Sequence, residues 1–90
     1  MTDALDGNAA GGALAEIFTA EMTLAVSTCA TCGDARPLAE LRAYLRTPGL
    51  VLRCAACQAV ELRLVRAPGR AWLDATGIRA LEIQLPGADR

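Results

Sequence analysis

The sequence predicts a small α+β domain, mainly β, in which antiparallel hairpins carry four cysteines and a helix precedes them. Three observations predict it. Two Cys-x-x-Cys pairs, Cys29/Cys32 and Cys54/Cys57, contain all the cysteine of the chain. Two Pro-Gly turns, Pro48-Gly49 and Pro68-Gly69, stand between runs of alternating apolar and polar residues. An apolar stripe at helical spacing occupies the start of the chain.

The helix is expected from a cap at Asp6 or Asn8, whose side chain accepts from free N–H groups of the first turn, to about Met22. Ala10, Leu14, Ile17, Phe18 and Met22 form its apolar stripe, with Glu16 opposite. Gly11 and Gly12 weaken its first turn by up to about 1 kcal/mol each. Such a stripe packs on the rest of its own chain, or it is offered to a protein partner or a second copy. Leu14, Ile17, Phe18 and Met22 are therefore the candidate partner surface.

Thr23 to Thr28 is expected to lead, extended, into the first cysteine pair. From Leu38 to Arg46, Ala39, Leu41, Ala43 and Leu45 alternate with Glu40, Arg42, Tyr44 and Arg46. That period of two predicts a half-buried strand, although the residue types also favour helix. Thr47-Pro48-Gly49 decides for the strand. Proline at i+1 and glycine at i+2 make a type II turn, and Leu50-Val51-Leu52 returns as the second strand.

The pattern then echoes. Val60 to Arg66 places Val60, Leu62 and Leu64 on one face and Glu61 and Arg63 on the other. Ala67-Pro68-Gly69 turns the chain, and Ala71 to Ala75 returns. Ile78 to Leu85, with Leu81, Ile83 and Leu85 at period two, is expected as a last strand, and residues 86–90 as a tail. The expected organisation is one domain, residues 1–90: a helical arm over 1–22, a β domain over 23–85, and the tail.

The cysteines carry the chemistry. A Cys-x-x-Cys knuckle turns two side chains toward one point, and two knuckles close a tetrahedral shell of sulfurs around Zn²⁺ at about 2.3 Å. The 21 residues between Cys32 and Cys54, Gly33 to Arg53, sit just beyond the usual spacing for such a site. Gly33 suits a knuckle that needs a positive φ; Gln58, its counterpart after Cys57, fits that need less well. Two disulfides can also be written from four cysteines. The N-terminus is acidic, with no secretion pattern, and no apolar run reaches membrane-span length. The expected location is therefore cytoplasmic, where thiols stay reduced and a metal is favoured over disulfides.

At 90 residues an apolar core gives marginal stability, and a structural metal is a common remedy. Alanine makes up much of the 53% hydrophobic content, and Phe18, Tyr44 and Trp72 are the only aromatics. All nine basic residues are arginine, and the formal net charge is −1. Four thiolates and one Zn²⁺ would take it to about −3. That total disfavours nucleic acid unless arginines gather on one face. The distribution is uneven: residues 1–40 hold six acids and one arginine, residues 41–90 eight arginines and four acids.

The knuckles, turns and hairpins over about residues 26–66 resemble a zinc ribbon, making the predicted fold zinc-ribbon-like antiparallel hairpins with an N-terminal helix. A further set of stretches runs along the chain: Leu5-Asp6-Gly7-Asn8-Ala9, Leu14-Ala15-Glu16-Ile17-Phe18 and Cys29-Ala30-Thr31-Cys32-Gly33, then Leu52-Arg53-Cys54-Ala55-Ala56-Cys57, Arg66-Ala67-Pro68-Gly69-Arg70 and Trp72-Leu73-Asp74. Through them the whole chain resembles an uncharacterised family of small actinobacterial proteins, a domain of unknown function. The resemblance implies a ribbon with four cysteine ligands and brings no activity with it.

Enzyme chemistry has little support. The chain has no histidine, shows no paired carboxylates, and commits every cysteine to the metal, leaving no open position for a zinc-bound water. Three functions follow. The first is a structural zinc ribbon, with one Zn²⁺ on Cys29, Cys32, Cys54 and Cys57, that binds a protein partner or itself as an adaptor. The second is electron transfer through iron or an Fe–S cluster on the same ligands. The third is nucleic-acid binding through Arg42, Tyr44, Arg46, Arg53 and Arg63, with Trp72 as a stacking platform.

Overall fold

A computed structural model describes residues 5–15, 18, 21–46 and 49–84. Its eight strands are β1 (Leu5–Asp6), β2 (Val26–Cys29), β3 (Ala35–Pro37), β4 (Arg42–Arg46), β5 (Gly49–Arg53), β6 (Val60–Ala67), β7 (Arg70–Asp74) and β8 (Ile78–Glu82). All pairings are antiparallel. They form a five-stranded sheet in the order β1-β4-β5-β6-β7 and a three-stranded sheet in the order β3-β2-β8. No helix among the described residues is long and apolar enough to cross a membrane.

Both expected hairpins form. In the first, Arg46 pairs with Gly49, and the turn residues Thr47 and Pro48 lie outside the described residues. In the second, Ala67 pairs with Arg70 and Gly69 has φ 78°. That is the i+2 conformation of a type II turn, with Pro68 supplying the fixed φ before it. The expected last strand forms over its first five residues, as β8 against β2; Leu81 within it and Ile83 just beyond its end pack against the core. Leu85 lies outside the described residues.

The N-terminal helix is shorter than the stripe predicts. Gly7–Ala10 is a 3₁₀ turn with Asp6 as its cap, accepting from the Asn8 N–H, and α1 is described over Gly11–Ala15, with the Phe18 N–H donating to the Leu14 carbonyl at 2.9 Å and residues 16–17 and 19–20 outside the described residues. Met22–Leu24 is a separate 3₁₀ turn, capped by the Glu21 carboxylate accepting from Thr23. Two glycines open α1 and weaken its first turn. The fresh cap at Glu21 then starts a new turn. Thr23 and Leu24 thus belong to a turn rather than to the extended lead-in, and β2 begins at Val26.

A second correction concerns Leu38–Glu40, expected as strand and found as a 3₁₀ turn after Pro37. Residues three apart eclipse in that geometry. Leu38 and Leu41 accordingly both reach the core, and β4 begins only at Arg42.

The core lies on one face of the five-stranded sheet. Ala43, Leu50, Leu52, Leu62 and Leu64 point from the sheet toward Ala10, Leu14, Met22, Ala25, Leu38 and Leu41. Phe18, Ile78, Leu81 and Ile83 close its margin. Ala10, Leu14 and Met22 of the N-terminal stripe are thus covered by the chain's own sheet.

Candidate metal centre

Each knuckle is built into a different sheet. Cys29 ends β2 and the chain returns as β3; Cys54 follows β5 and the chain returns as β6. Both entering strands carry a register shift next to the cysteine, between Thr28 and Cys29 against β8 and between Leu52 and Arg53 against β6. Such bulges re-aim a side chain out of the alternating pattern.

The two knuckles share one hydrogen-bond scheme. The Cys29 N–H donates to the Asp34 carbonyl at 2.9 Å, and the Cys54 N–H to the Ala59 carbonyl at 2.8 Å. The Gly33 N–H returns to the Cys29 carbonyl, and the Gln58 N–H to the Cys54 carbonyl, both at 2.9 Å. Thr31 N–H points at the Cys29 Sγ at 3.4 Å, and Ala56 N–H at the Cys54 Sγ at 3.3 Å. Gly33 has φ 80° and Gln58 φ 73°. The glutamine therefore takes the left-handed conformation that its side chain disfavours.

The four Sγ atoms lie within 4.8 Å of one another. The contacts between knuckles are Cys29 to Cys57 at 3.7 Å and Cys32 to Cys54 at 3.6 Å. A disulfide needs about 2.05 Å, and all four cysteines are free. Four sulfurs about 2.3 Å from a central Zn²⁺ stand about 3.8 Å apart along the tetrahedron's edges. The observed spacing fits that shell. The four cysteines together form a cluster that could hold a metal ion.

Burial and proton affinity divide the ligands. Cys29 and Cys54, the first of each pair, are buried, and Cys32 and Cys57 are exposed. Desolvation raises the Cys29 thiol, but N–H groups of Cys32 and Thr31 outweigh it and bring it down to about 7. At Cys32 the Asp34 N–H favours the thiolate. Desolvation and the neighbouring sulfurs prevail and push it up to about 12. Cys57 is raised too, against the pull of the Ala59 N–H, by desolvation and its sulfur neighbours Cys29 and Cys54. The Cys29 proton leaves readily, while those of Cys32 and Cys57 need a cation to displace them, so metal capture releases protons and strengthens as pH rises.

Glu61 departs from the sequence expectation. It was predicted to alternate outward, yet it is 1% exposed and accepts from the Ser27 hydroxyl at 2.9 Å. The β5–β6 register shift lies at this end of β6, where Arg53 pairs with Val60 and Leu52 with Leu62, so Glu61 is skipped. Burial raises its carboxyl, against the Ser27 hydrogen bond. The alternation of β6 hid this residue completely. Only its place four residues after Cys57 hinted at a role beside the centre.

The candidate partner surface is not assembled as an open face. Leu14 and Met22 are buried in the chain's own core, Phe18 is half-buried against it, and Ile17 lies outside the described residues.

The candidate nucleic-acid residues do come together. Directly opposed residues of neighbouring strands share a face. Tyr44, Val51, Arg63 and Asp74 form one row across β4 to β7, Arg42 and Arg53 a second, Val65 and Trp72 a third. All three rows lie on the face of the five-stranded sheet opposite the core. The side chain of Arg46 lies outside the described residues. Arg53 stands over the Tyr44 ring and Arg70 over the Trp72 ring, each at 5.9 Å from the centroid.

Comparison with known proteins agrees with the full span of the resemblance. No curated protein and no solved structure matches the chain. A protein family described as "Family of unknown function (DUF6510)" matches over residues 1–86, and the chain belongs to that family.

Proposed function

We propose that this chain is a non-catalytic zinc ribbon, a binding module whose two sheets are locked together by one Zn²⁺ on Cys29, Cys32, Cys54 and Cys57. One observation carries the reading: four sulfurs from two sheets meet within 4.8 Å with the spacing of a tetrahedral shell. The matched N–H groups aimed at Cys29 and Cys54 support it further, since they stabilise thiolate charge. A shell closed by four protein sulfurs holds its metal for structure and has no vacancy for a water or substrate. Free thiols suit a reducing compartment, in keeping with a cytoplasmic location.

A module needs a surface. The stripe at Leu14 and Met22 is consumed by the core, so the working surface belongs elsewhere, on the exposed face of the larger sheet. Elemental analysis of the purified protein tests the reading. The expected result is one zinc per chain and no visible absorption. Iron near one per chain, with thiolate-to-iron absorption in the visible, would overturn it in favour of electron transfer.

A further inference from the structure

The outer face of the five-stranded sheet has two properties that do not usually coincide on a solvated surface. Its side chains Arg42, Arg53, Arg63 and Arg70 are cationic, against Asp6 and Asp74 on the two edge strands. Asp6 is already engaged as a cap. Between the arginines stand two aromatic rings, Tyr44 on β4 and Trp72 on the edge strand β7. Trp72 is 53% exposed and every residue of β7 is exposed. The chain's net charge hides this arrangement, because among the described residues Glu21, Asp34, Glu40 and Glu82 lie on other elements.

We propose that this face binds single-stranded nucleic acid, with Trp72 and Tyr44 as base-stacking platforms and the arginines as phosphate contacts. The inference rests on the reading of the chain as a binding module and gives that module its partner class. Three strand spacings and two residues along the strand separate Tyr44 from Trp72, about 16 Å. That gap holds separate bases rather than one, and Arg63, in the Tyr44 row on β6, lies between the platforms. The guanidinium over each ring, 5.9 Å from its centroid, supplies the charge for a phosphate when a base takes its place on the ring. An acidic peptide would use the arginines and leave the rings idle. A duplex keeps its bases stacked inside, so flat rings on an open sheet select a single strand.

Trp72 is the only tryptophan, so its fluorescence reports on this face alone. The experiment titrates the metal-loaded protein with short single-stranded DNA and RNA, a duplex of the same sequence, and polyglutamate. Single strands are expected to quench Trp72 and to bind in the micromolar range at low salt. Four phosphate contacts give a log–log salt slope of about −3, so binding should fall about 50-fold between about 50 and about 200 mM salt. Trp72→Ala, followed by anisotropy of a labelled strand, should weaken binding about ten-fold, as expected for one lost base stack. Arg63→Gln with Arg70→Gln should flatten the salt slope. Circular dichroism and metal content of each variant must match the parent, which separates a failed face from a failed module. Absence of quenching at about 100 μM single strand and low salt overturns the proposal. So does polyglutamate or duplex binding as tight as the single strand.

Discussion

The two knuckles of this domain make the same hydrogen bonds with different residues. After the first pair stands Gly33, after the second Gln58, and both adopt a positive φ, 80° and 73°. A glycine does this without steric cost, whereas a side chain there costs about 1–2 kcal/mol. The surroundings differ as well. The first knuckle is tied to a distant segment, its Ala30 N–H donating to the Gly77 carbonyl at 2.9 Å, and an Asp34–Arg36 ion pair at 2.6 Å braces its exit. The second is braced locally, by Arg53 donating to the Gln58 carbonyl at 2.9 Å. The knuckle with the strained residue is the one between the long paired strands β5 and β6. A rigid frame on both sides can impose a conformation that local preference alone would refuse.

The largest test of this comparison removes one sulfur at a time. Cys54→Ser, at the buried position of the second knuckle, should abolish metal binding and leave the chain unfolded or aggregated. Zinc binding is worth about 10–16 kcal/mol in small structural sites, which exceeds the margin of a 90-residue core. Cys32→Ser, at an exposed position, should retain weaker metal binding and a lowered melting temperature. Far-UV circular dichroism with and without a chelator reads both. A cooperative, native-like melt for Cys54→Ser without metal would show that the core stands alone and that the knuckles are accessories.

Next in size is Gly77, which links β7 to β8 and so joins the two sheets. A Cβ there would sit 1.9 Å from the Val60 carbonyl oxygen and 2.7 Å from the Glu61 Cα. Backbone must move, and both knuckles feel it: the first through Ala30, the second through Val60 and Glu61 at its exit. Gly77→Ala should cost about 3 kcal/mol or more, above the usual range for overpacking because no side chain can yield. Chemical denaturation of the metal-loaded protein measures it. An unchanged midpoint would mean that the first knuckle does not depend on its distant tie.

Much of this frame was legible in the sequence, for physical reasons. Cysteine spacing fixes which sulfurs can meet, Pro68-Gly69 encodes a turn in its own dihedral preferences, and Leu81 and Ile83 reveal β8 by alternation. What failed depended on tertiary context. Glu61 follows the outward parity of β6, yet beside the register shift opposite Leu52 and Arg53 it is buried against Ser27 of the smaller sheet. The stripe from Leu14 to Met22 has helical spacing, but Leu14 reaches the core from α1 and Met22 from a separate 3₁₀ turn. Arg42, Arg53 and Arg63 could be named as candidates. Their common face, and the addition of Arg70 beside Trp72, required the strand register.

The smallest and most direct test exchanges the residues that distinguish the knuckles. Gln58→Gly removes about 1–2 kcal/mol of left-handed strain, while the freer unfolded chain takes back about 0.4–1 kcal/mol. The net should be a gain of about 0.5 kcal/mol. Gly33→Ala runs the same cycle in reverse, and no atom lies within 4 Å of the added Cβ, so backbone strain is the whole effect. It should lose a comparable amount. At this chain length about 1 kcal/mol moves a melting temperature by roughly 4–8 °C, so the two variants should depart from the parent in opposite directions by a few degrees each. Thermal melts of the zinc-loaded proteins, at equal zinc content, decide it. If Gln58→Gly destabilises, the glutamine side chain contributes a contact worth more than its strain, and the second knuckle is held by its side chains rather than by the frame of β5 and β6. If both variants move together, the knuckles are not equivalent turns, and the shared hydrogen-bond scheme does not govern their energetics.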